Sequence, residues 1–557
     1  MSVLAQVTSA VEGFNRFVEE QVSQARSDSQ FGEQLMARWQ AARAGLGTVT
    51  IPTALKLPRL ALPLTDDPGE VARYLYGEGL PGEFPFVNAA YREMYLGHAG
   101  AKSTEEPTRL FAGLGLAEDT NHRFRYLTRH QHSIRLSTAF DGPTLYGLDS
   151  DADGVFGKIG EGGVALDTIE DMERLYAGFP LSGEHFSVSM TINGPAPIIL
   201  AMYVAAAKRR FGPEAVSTLR GTIQADILKE VQAQNEIIFP IEASLRFLAD
   251  MVEHTTTHLT LSNGFTYVEL FRDRGLEVKR FGPRLSFFLD CGLDIEYVAL
   301  ARVCRKLWAI GMRDVFGADP PAQLFKLHTQ TSGRSLIAQE SKNNLTRTAI
   351  ELVLACLNAT NSCHSNSADE PFTTPSEEYV RLAANSQAIL LEESGLFKFM
   401  MNTLTGSPGM KIVERAVEEG ILLEFREIDR MGGVLTAIDQ RYQRSQIQAA
   451  AHRYEQQISD GTRPIIGLNR YRDETNAAPA VKVVRTPRQK KQLQVDRLEK
   501  FKHQNRARTE RALDRLATVV ESGGNVFKEL IHTVECCSLG QITGRLHECV
   551  GRHRPMV

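Results

Sequence analysis

Residues 220–234 read RGTIQADILKEVQAQ, a polar strand running straight into an amphipathic helix. Gly221, Ile223 and Ala225 alternate with Thr222, Gln224 and Asp226, so a strand here has one apolar face and one hydrogen-bonding face. Asp226 stands near the helix N-terminus, where an acid is favoured, and Ile227, Leu228 and Val231 supply the packing stripe. A strand whose polar face is buried is built to hold something.

The same device recurs along the chain. Ser137 and Asp141 share one face of RLSTAFD, and Ser187, Ser189, Thr191 and Asn193 share one face of FSVSMTIN. His328, Gln330 and Ser332 share a face of LFKLHTQTSG, as do Ser362, His364 and Asn366 of TNSCHSNS. A helix-like segment follows each, after a break containing Gly, Asn or Pro. Strand candidates fall at 134–141, 186–193, 219–225, 284–289, 324–331 and 360–367. An ordinary eight-stranded parallel barrel fills its interior with Val, Ile and Leu. A repeated Ser, Thr, Gln, His and Asn interior therefore points to an α/β fold of the (β/α)8 TIM type enclosing a polar, elongated ligand. Solvated edges of antiparallel strands would also alternate, but they seldom interleave with helices so regularly.

The 557 residues, 43% hydrophobic and 23% charged, suit one large globular domain with a smaller one. A formal charge of −4 selects no special partner, and no apolar run reaches the length of a membrane span. Residues 1–18 lack the pattern of a signal peptide, and seven cysteines without disulfide or metal-ligand spacing suit a reducing cytoplasm. Three regions are expected: a helical segment and extended arm at 1–85, the barrel at 86–430, and a helical region with a linker at 431–557. The apolar stripe Val11, Phe14, Phe17 and Val18 reads as a docking surface for a neighbouring subunit or domain, and the last helical region as a second. The basic run 485–515 reads as a solvated helix face rather than a nucleic-acid contact, since acids interleave with it and it has few stacking aromatics. A metal-dependent barrel using His328 and His364 lacks a carboxylate pair to complete a ligand set.

The ordered stretches TRLFAG, LSTAFD, GVALDTIEDMERLYAG, SVSMTING, GTIQADILKE, PRLSFF, HTQTSG, SCHSNSADE, LLEESG and GLNRY resemble the substrate-binding part of the adenosylcobalamin-dependent acyl-CoA mutases, the methylmalonyl-CoA mutase family. KLPRLALP and FKFMMNTLTGSPGM look more like isobutyryl-CoA mutase, including its fused form. The resemblance implies a radical isomerase with adenosylcobalamin as cofactor, an acyl-CoA substrate and a dimer or heterotetramer. It implies that Tyr91, Met94, Arg109 and Ser137 contact the coenzyme A arm. Thr222, Gln224, Arg284, Ser286 and His328 would line the acyl and thioester end, Gln224 and His328 being the catalytic pair. Gln330, Asn366 and Glu370 would face the cofactor.

Malonyl-type members carry an arginine for the substrate's free carboxylate where this chain has Gln234, and a tyrosine where it has Phe111. Neutral Gln makes no charge-assisted fork, so isobutyryl-CoA and n-butyryl-CoA are the expected substrates, with methylmalonyl-CoA the alternative. After residue 252 the family's strand with S-I-S-G-Y-H is missing. The fourth barrel strand is therefore lost, or replaced by THLTLS at 257–262 with His258 as substitute, and activity is impaired or absent. The family's D-x-H-x-x-G cobalt-binding run and the G-x-x-x-x-G-K-[ST] phosphate loop do not occur, which implies a separate small cobalamin-binding subunit. A non-catalytic coenzyme A-binding or assembly subunit is the competing reading.

Overall fold

A computed structural model describes residues 2–92, 109–183, 185–234, 236–252, 257–259, 261–398, 402–473 and 483–553. The chain divides into two compact units. One is made of 1–108, 260–368 and 382–442, the other of 109–259, 369–381 and 443–557. These interleaved units cut across the boundaries expected at 85 and 430.

The unit that starts at Arg109 holds strands β1 (Leu110–Ala112), β2 (Ile134–Ala139), β3 (Phe186–Thr191), β4 (Gly221–Gln224) and β5 (Thr257–Leu259). Each pairs in parallel with the next. Helices Ala117–Thr128, Ile169–Leu175, Ala196–Phe211 and Ile241–Val252 make the four crossovers, as parallel pairing requires. Ala196–Phe211 is buried at every position from Ala196 to Ala207, which explains its nearly unbroken apolar sequence. The long helix Arg488–Glu521 turns its basic residues to acids of the same unit. Lys491 meets Glu161 at 2.7 Å, Arg497 meets Glu118 at 2.7 Å and Lys502 meets Asp149 at 2.8 Å. The basic run is thus a packed and ion-paired face rather than a purely solvated one.

The other unit holds β6 (Leu285–Cys291), β7 (Leu327–Thr331) and β8 (Ser362–His364), again in parallel, with helices Glu296–Ile310 and Asn343–Leu357 as crossovers. Beneath β6, Phe287 stacks on Phe325 at 3.9 Å and meets Trp308 edge-on at 4.7 Å. Arg302, 2% exposed, donates to Glu78 at 3.1 Å and Asn88 at 3.0 Å and also pairs with Glu414. One buried cation thereby joins three separate stretches of chain.

Three expectations change. A strand forms at Leu110–Ala112, too short to be read from alternation, so the strand before β6 is fifth in chain order and not fourth. THLTLS divides: Thr257–Leu259 is a strand, and helix Leu261–Asp273 begins two residues later. The stripe at Val11 and Phe14 is not an open docking surface. Helix Val3–Ser27 buries both within its own unit, with Phe14 edge-on to Phe84 at 5.7 Å, because the facing segments present aromatic and aliphatic side chains to it. Within the other unit, helices Val526–Thr533 and Leu539–Val550 likewise bury their apolar faces.

Candidate functional site

Alternation along β2, β3 and β4 sorts their side chains onto two faces. Leu136, Val188, Met190 and Ile223 are at most 2% exposed on one face. Ser137, Ser189, Thr191, Thr222 and Gln224 lie on the other. Register aligns them into two rows across the strands, Phe111–Ser137–Ser189–Thr222 and Ala139–Thr191–Gln224–His258. Ser189 Oγ and Thr222 Oγ1 lie 2.8 Å apart, as same-face neighbours should. Gly221 permits this packing, since a Cβ there would lie 2.0 Å from the Val188 carbonyl oxygen.

After β4 the chain turns sharply. The Asp226 carboxylate accepts the Lys229 N–H at 3.1 Å, capping the short helix Ile227–Lys229, and a π-helical turn Glu230–Gln234 follows. Gln234 is exposed and accepts from Lys229 Nζ at 3.0 Å.

In the other unit the rows are Phe288–His328–Ser362 and Asp290–Gln330–His364. His328 is 7% exposed; its Nδ1 lies 2.7 Å from Ser362 Oγ and its ring 5.5 Å from that of Phe288. Ser286, buried, is in step with Phe288 on β6. Gln330 donates to Asn366 Oδ1 at 2.7 Å, and Asn366 in turn donates to the Thr331 carbonyl at 2.8 Å. Just past β7, the Ser332 N–H donates to Glu351 Oε2 at 3.1 Å. Burial pushes the Glu351 carboxyl up to about 7, against the easing effect of its bonds from Ser335 and Ser332.

The structure thus brings Phe111, Ser137, Thr222 and Gln224 onto shared rows of one unit, and Ser286, His328 and Gln330 onto one face of the other, with Asn366 bonded to Gln330. Arg109 is buried at the entrance to β1. Tyr91 is 43% exposed, Arg284 is exposed just before β6, and Glu370 is exposed and belongs to the unit without Gln330. Met94 lies outside the described residues. Several polar residues read as strand positions leave the strand instead. Asn193 turns at φ 79°, Asp141 caps a turn by accepting the Thr144 N–H at 3.0 Å, and β8 ends before Asn366. Polar side chains just past a strand satisfy loop N–H groups more readily than they extend the ladder. Sequence reasoning missed Ser362 as the partner of His328, although its place two residues before His364 carried the signal. It also missed Glu230, which alternation ends too early to reveal. Among the described residues no three His, Cys, Asp or Glu side chains gather to hold a metal ion, and no helix is long and apolar enough to cross a membrane.

A parallel β-α-β chain with buried hydroxyl and amide rows defines a class of ligand-enclosing α/β enzymes. The methylmalonyl-CoA mutase family profile matches residues 65–259 and 258–552, two segments that meet at His258–Leu259. The chain belongs to this family. It is 41% identical to a fused isobutyryl-CoA mutase of Geobacillus kaustophilus, over 90% of this chain and 50% of that protein. It is 33% identical to the 2-hydroxyisobutanoyl-CoA mutase large subunit of Aquincola tertiaricarbonis, over 86% of this chain and 88% of that one. Against the mitochondrial methylmalonyl-CoA mutase of Homo sapiens the identity is 34%, over 86% of this chain and 66% of that enzyme. The chain spans about half the length of the fused isobutyryl-CoA mutases it matches.

Proposed function

We propose that the chain is the acyl-CoA-binding part of a mutase that interconverts isobutyryl-CoA and n-butyryl-CoA. The observation that carries this reading is the row Phe111–Ser137–Ser189–Thr222, buried small hydroxyls ending in an aromatic ring that lacks one. Such a row accepts a long polar arm without a charge of its own, and a thioester-linked nucleotide has that shape and chemistry. The reading takes β1–β8 as a closed barrel with β5 as its shortened member. Tyr91, Met94, Arg109 and Ser137 then contact the coenzyme A arm, and Thr222, Gln224, Arg284, Ser286 and His328 the acyl end. Phe111 and neutral Gln234 disfavour a free carboxylate, and with it methylmalonyl-CoA.

When bound, adenosylcobalamin supplies the radical chemistry of the isomerisation. Gln330 fits a role beside it: one amide atom is held by Asn366, and the other makes no hydrogen bond among the described residues, so it is suited to a ribose hydroxyl. Asn366 acts as the brace for Gln330 and as a cofactor contact only through it, and exposed Glu370 completes the set. The chain's own work is to bind the thioester, orient its carbonyl and exclude water. His328, its Nδ1 within 2.7 Å of Ser362 Oγ, is oriented to present its other ring nitrogen to that carbonyl. The cobalamin-binding part comes either on a separate small subunit, as the likeness to a protein named a large subunit suggests, or in the same polypeptide, as the fused relatives of twice the length suggest.

A second reading, a coenzyme A-binding chain without turnover, is favoured by one observation. The family match breaks at residues 258–259, where β5 is three residues long. Calorimetry with isobutyryl-CoA tests both, and absence of binding excludes both. A mutase assay with adenosylcobalamin and a cobalamin-binding partner separates them, because turnover of isobutyryl-CoA excludes the second.

A further inference from the structure

Gln224 and Gln234 are joined by a polar relay inside one unit. The Asn193 N–H donates to the Gln224 carbonyl at 3.0 Å, and Asn193 Nδ2 donates to Glu230 Oε1 at 2.6 Å. The same carboxylate oxygen meets Lys229 Nζ at 2.8 Å, and that ammonium donates to Gln234 Oε1 at 3.0 Å. Asn193 holds its place at φ 79°, a setting that Asn tolerates better than most residues. Glu230 opens a π-helical turn, a geometry found mostly at functional sites.

Two further facts set this relay apart from ordinary packing. Asn193 Oδ1 and Glu230 Oε2 are buried without a hydrogen-bond partner, a cost that stability alone gives no reason to keep. Moreover, Glu230 neutralises Lys229, the ammonium that touches Gln234, so the surroundings of Gln234 carry no net charge from this pair.

We propose that Asn193 and Glu230 are positioning residues that set the span between Gln224 and Gln234 and hold Lys229 neutralised, so that the site admits uncharged acyl groups and rejects carboxylated ones. The proposal rests on the reading of the chain as an acyl-CoA-binding mutase part. At 2% and 0% exposure neither side chain is available to touch the substrate. Both act through the two glutamines and the lysine.

The test is calorimetry on the full chain with coenzyme A, isobutyryl-CoA and methylmalonyl-CoA. Asn193→Ala should weaken isobutyryl-CoA about tenfold while leaving coenzyme A within about twofold. Glu230→Gln preserves the shape and an acceptor for Asn193 but frees the lysine charge. It should shift the affinity ratio at least about fivefold toward methylmalonyl-CoA. Should Asn193→Ala fail to fold, Glu230→Gln carries the test alone. An unmoved ratio in Glu230→Gln, or equal weakening of coenzyme A and isobutyryl-CoA in Asn193→Ala, overturns the proposal and leaves the mutase reading standing. Absence of binding of all three ligands by the unsubstituted chain overturns both.

Discussion

The row across β1–β4 and the row across β6–β8 share a parallel pleat but differ in chemistry. The first aligns Phe111 with Ser137, Ser189 and Thr222 and holds no titratable group. The second aligns Phe288, His328 and Ser362, with Asp290, Gln330 and His364 one step along. Hydroxyls grip a ligand whatever the pH, whereas an imidazole beside an aromatic ring takes part in chemistry that depends on protonation. The contrast separates a half suited to holding from a half suited to reacting.

Four experiments break or sharpen that contrast. The largest effect is expected from Gly221→Val, whose Cβ would lie 2.0 Å from the Val188 carbonyl oxygen. The β3–β4 pairing that carries the hydroxyl row should be lost, at a cost of about 3 kcal/mol or more in urea unfolding. Wild-type stability in this variant would mean that the two strands do not pair as described. Next, His328→Ala, assayed with a cobalamin-binding partner, should lower turnover about a hundredfold while changing isobutyryl-CoA affinity less than about threefold. Parallel losses in both would erase the division between holding and reacting.

The third concerns Glu351, which accepts from Ser332 at the end of β7 and whose carboxyl is raised from 4.5 to about 7. A raised acid keeps its proton longer in the folded state than in the unfolded one. Its contribution to stability is therefore full below about pH 4.5 and is lost as pH rises through about 7. Glu351→Gln should remove a pH-dependent stability change on the order of 2 kcal/mol between those limits, read from urea midpoints across pH. An identical pH profile in the variant would show that this end of β7 does not titrate. The smallest effect is the coupling of Ser189 and Thr222. A cycle of Ser189→Ala and Thr222→Val should give about 1 kcal/mol from their 2.8 Å contact. Simple additivity would mean that the hydroxyl row is a set of independent side chains.

Much of the sheet was legible before any coordinates. The alternation in RLSTAF, FSVSMT and GTIQ marked β2, β3 and β4 to within two residues, because a half-polar strand imposes a period of two. β1 escaped, since three residues are too few to show a period. The ends were misjudged for a different reason. Asn193, Asp141 and Asn366 continue the polar pattern in sequence, yet each serves a turn rather than a strand. The docking role given to Phe14 failed because an amphipathic stripe states that something covers it and not what does. The helix Pro408–Arg430, hundreds of residues away in sequence, belongs to the same unit and shares that packing through Glu418, which accepts from Asn15 at 2.7 Å.

The sequence by itself determined that polar and apolar residues alternate on strands followed by helices, and that the motifs of one enzyme family appear in order. Those properties are local, written in spacing and residue type. Only the tertiary structure decided which hydroxyl faces which, that Asn193 links Gln224 to Glu230, and that Arg302 is the buried tie among Glu78, Asn88 and Glu414. Register and long-range ion pairing arise from the packing of distant segments, and no local period carries that information.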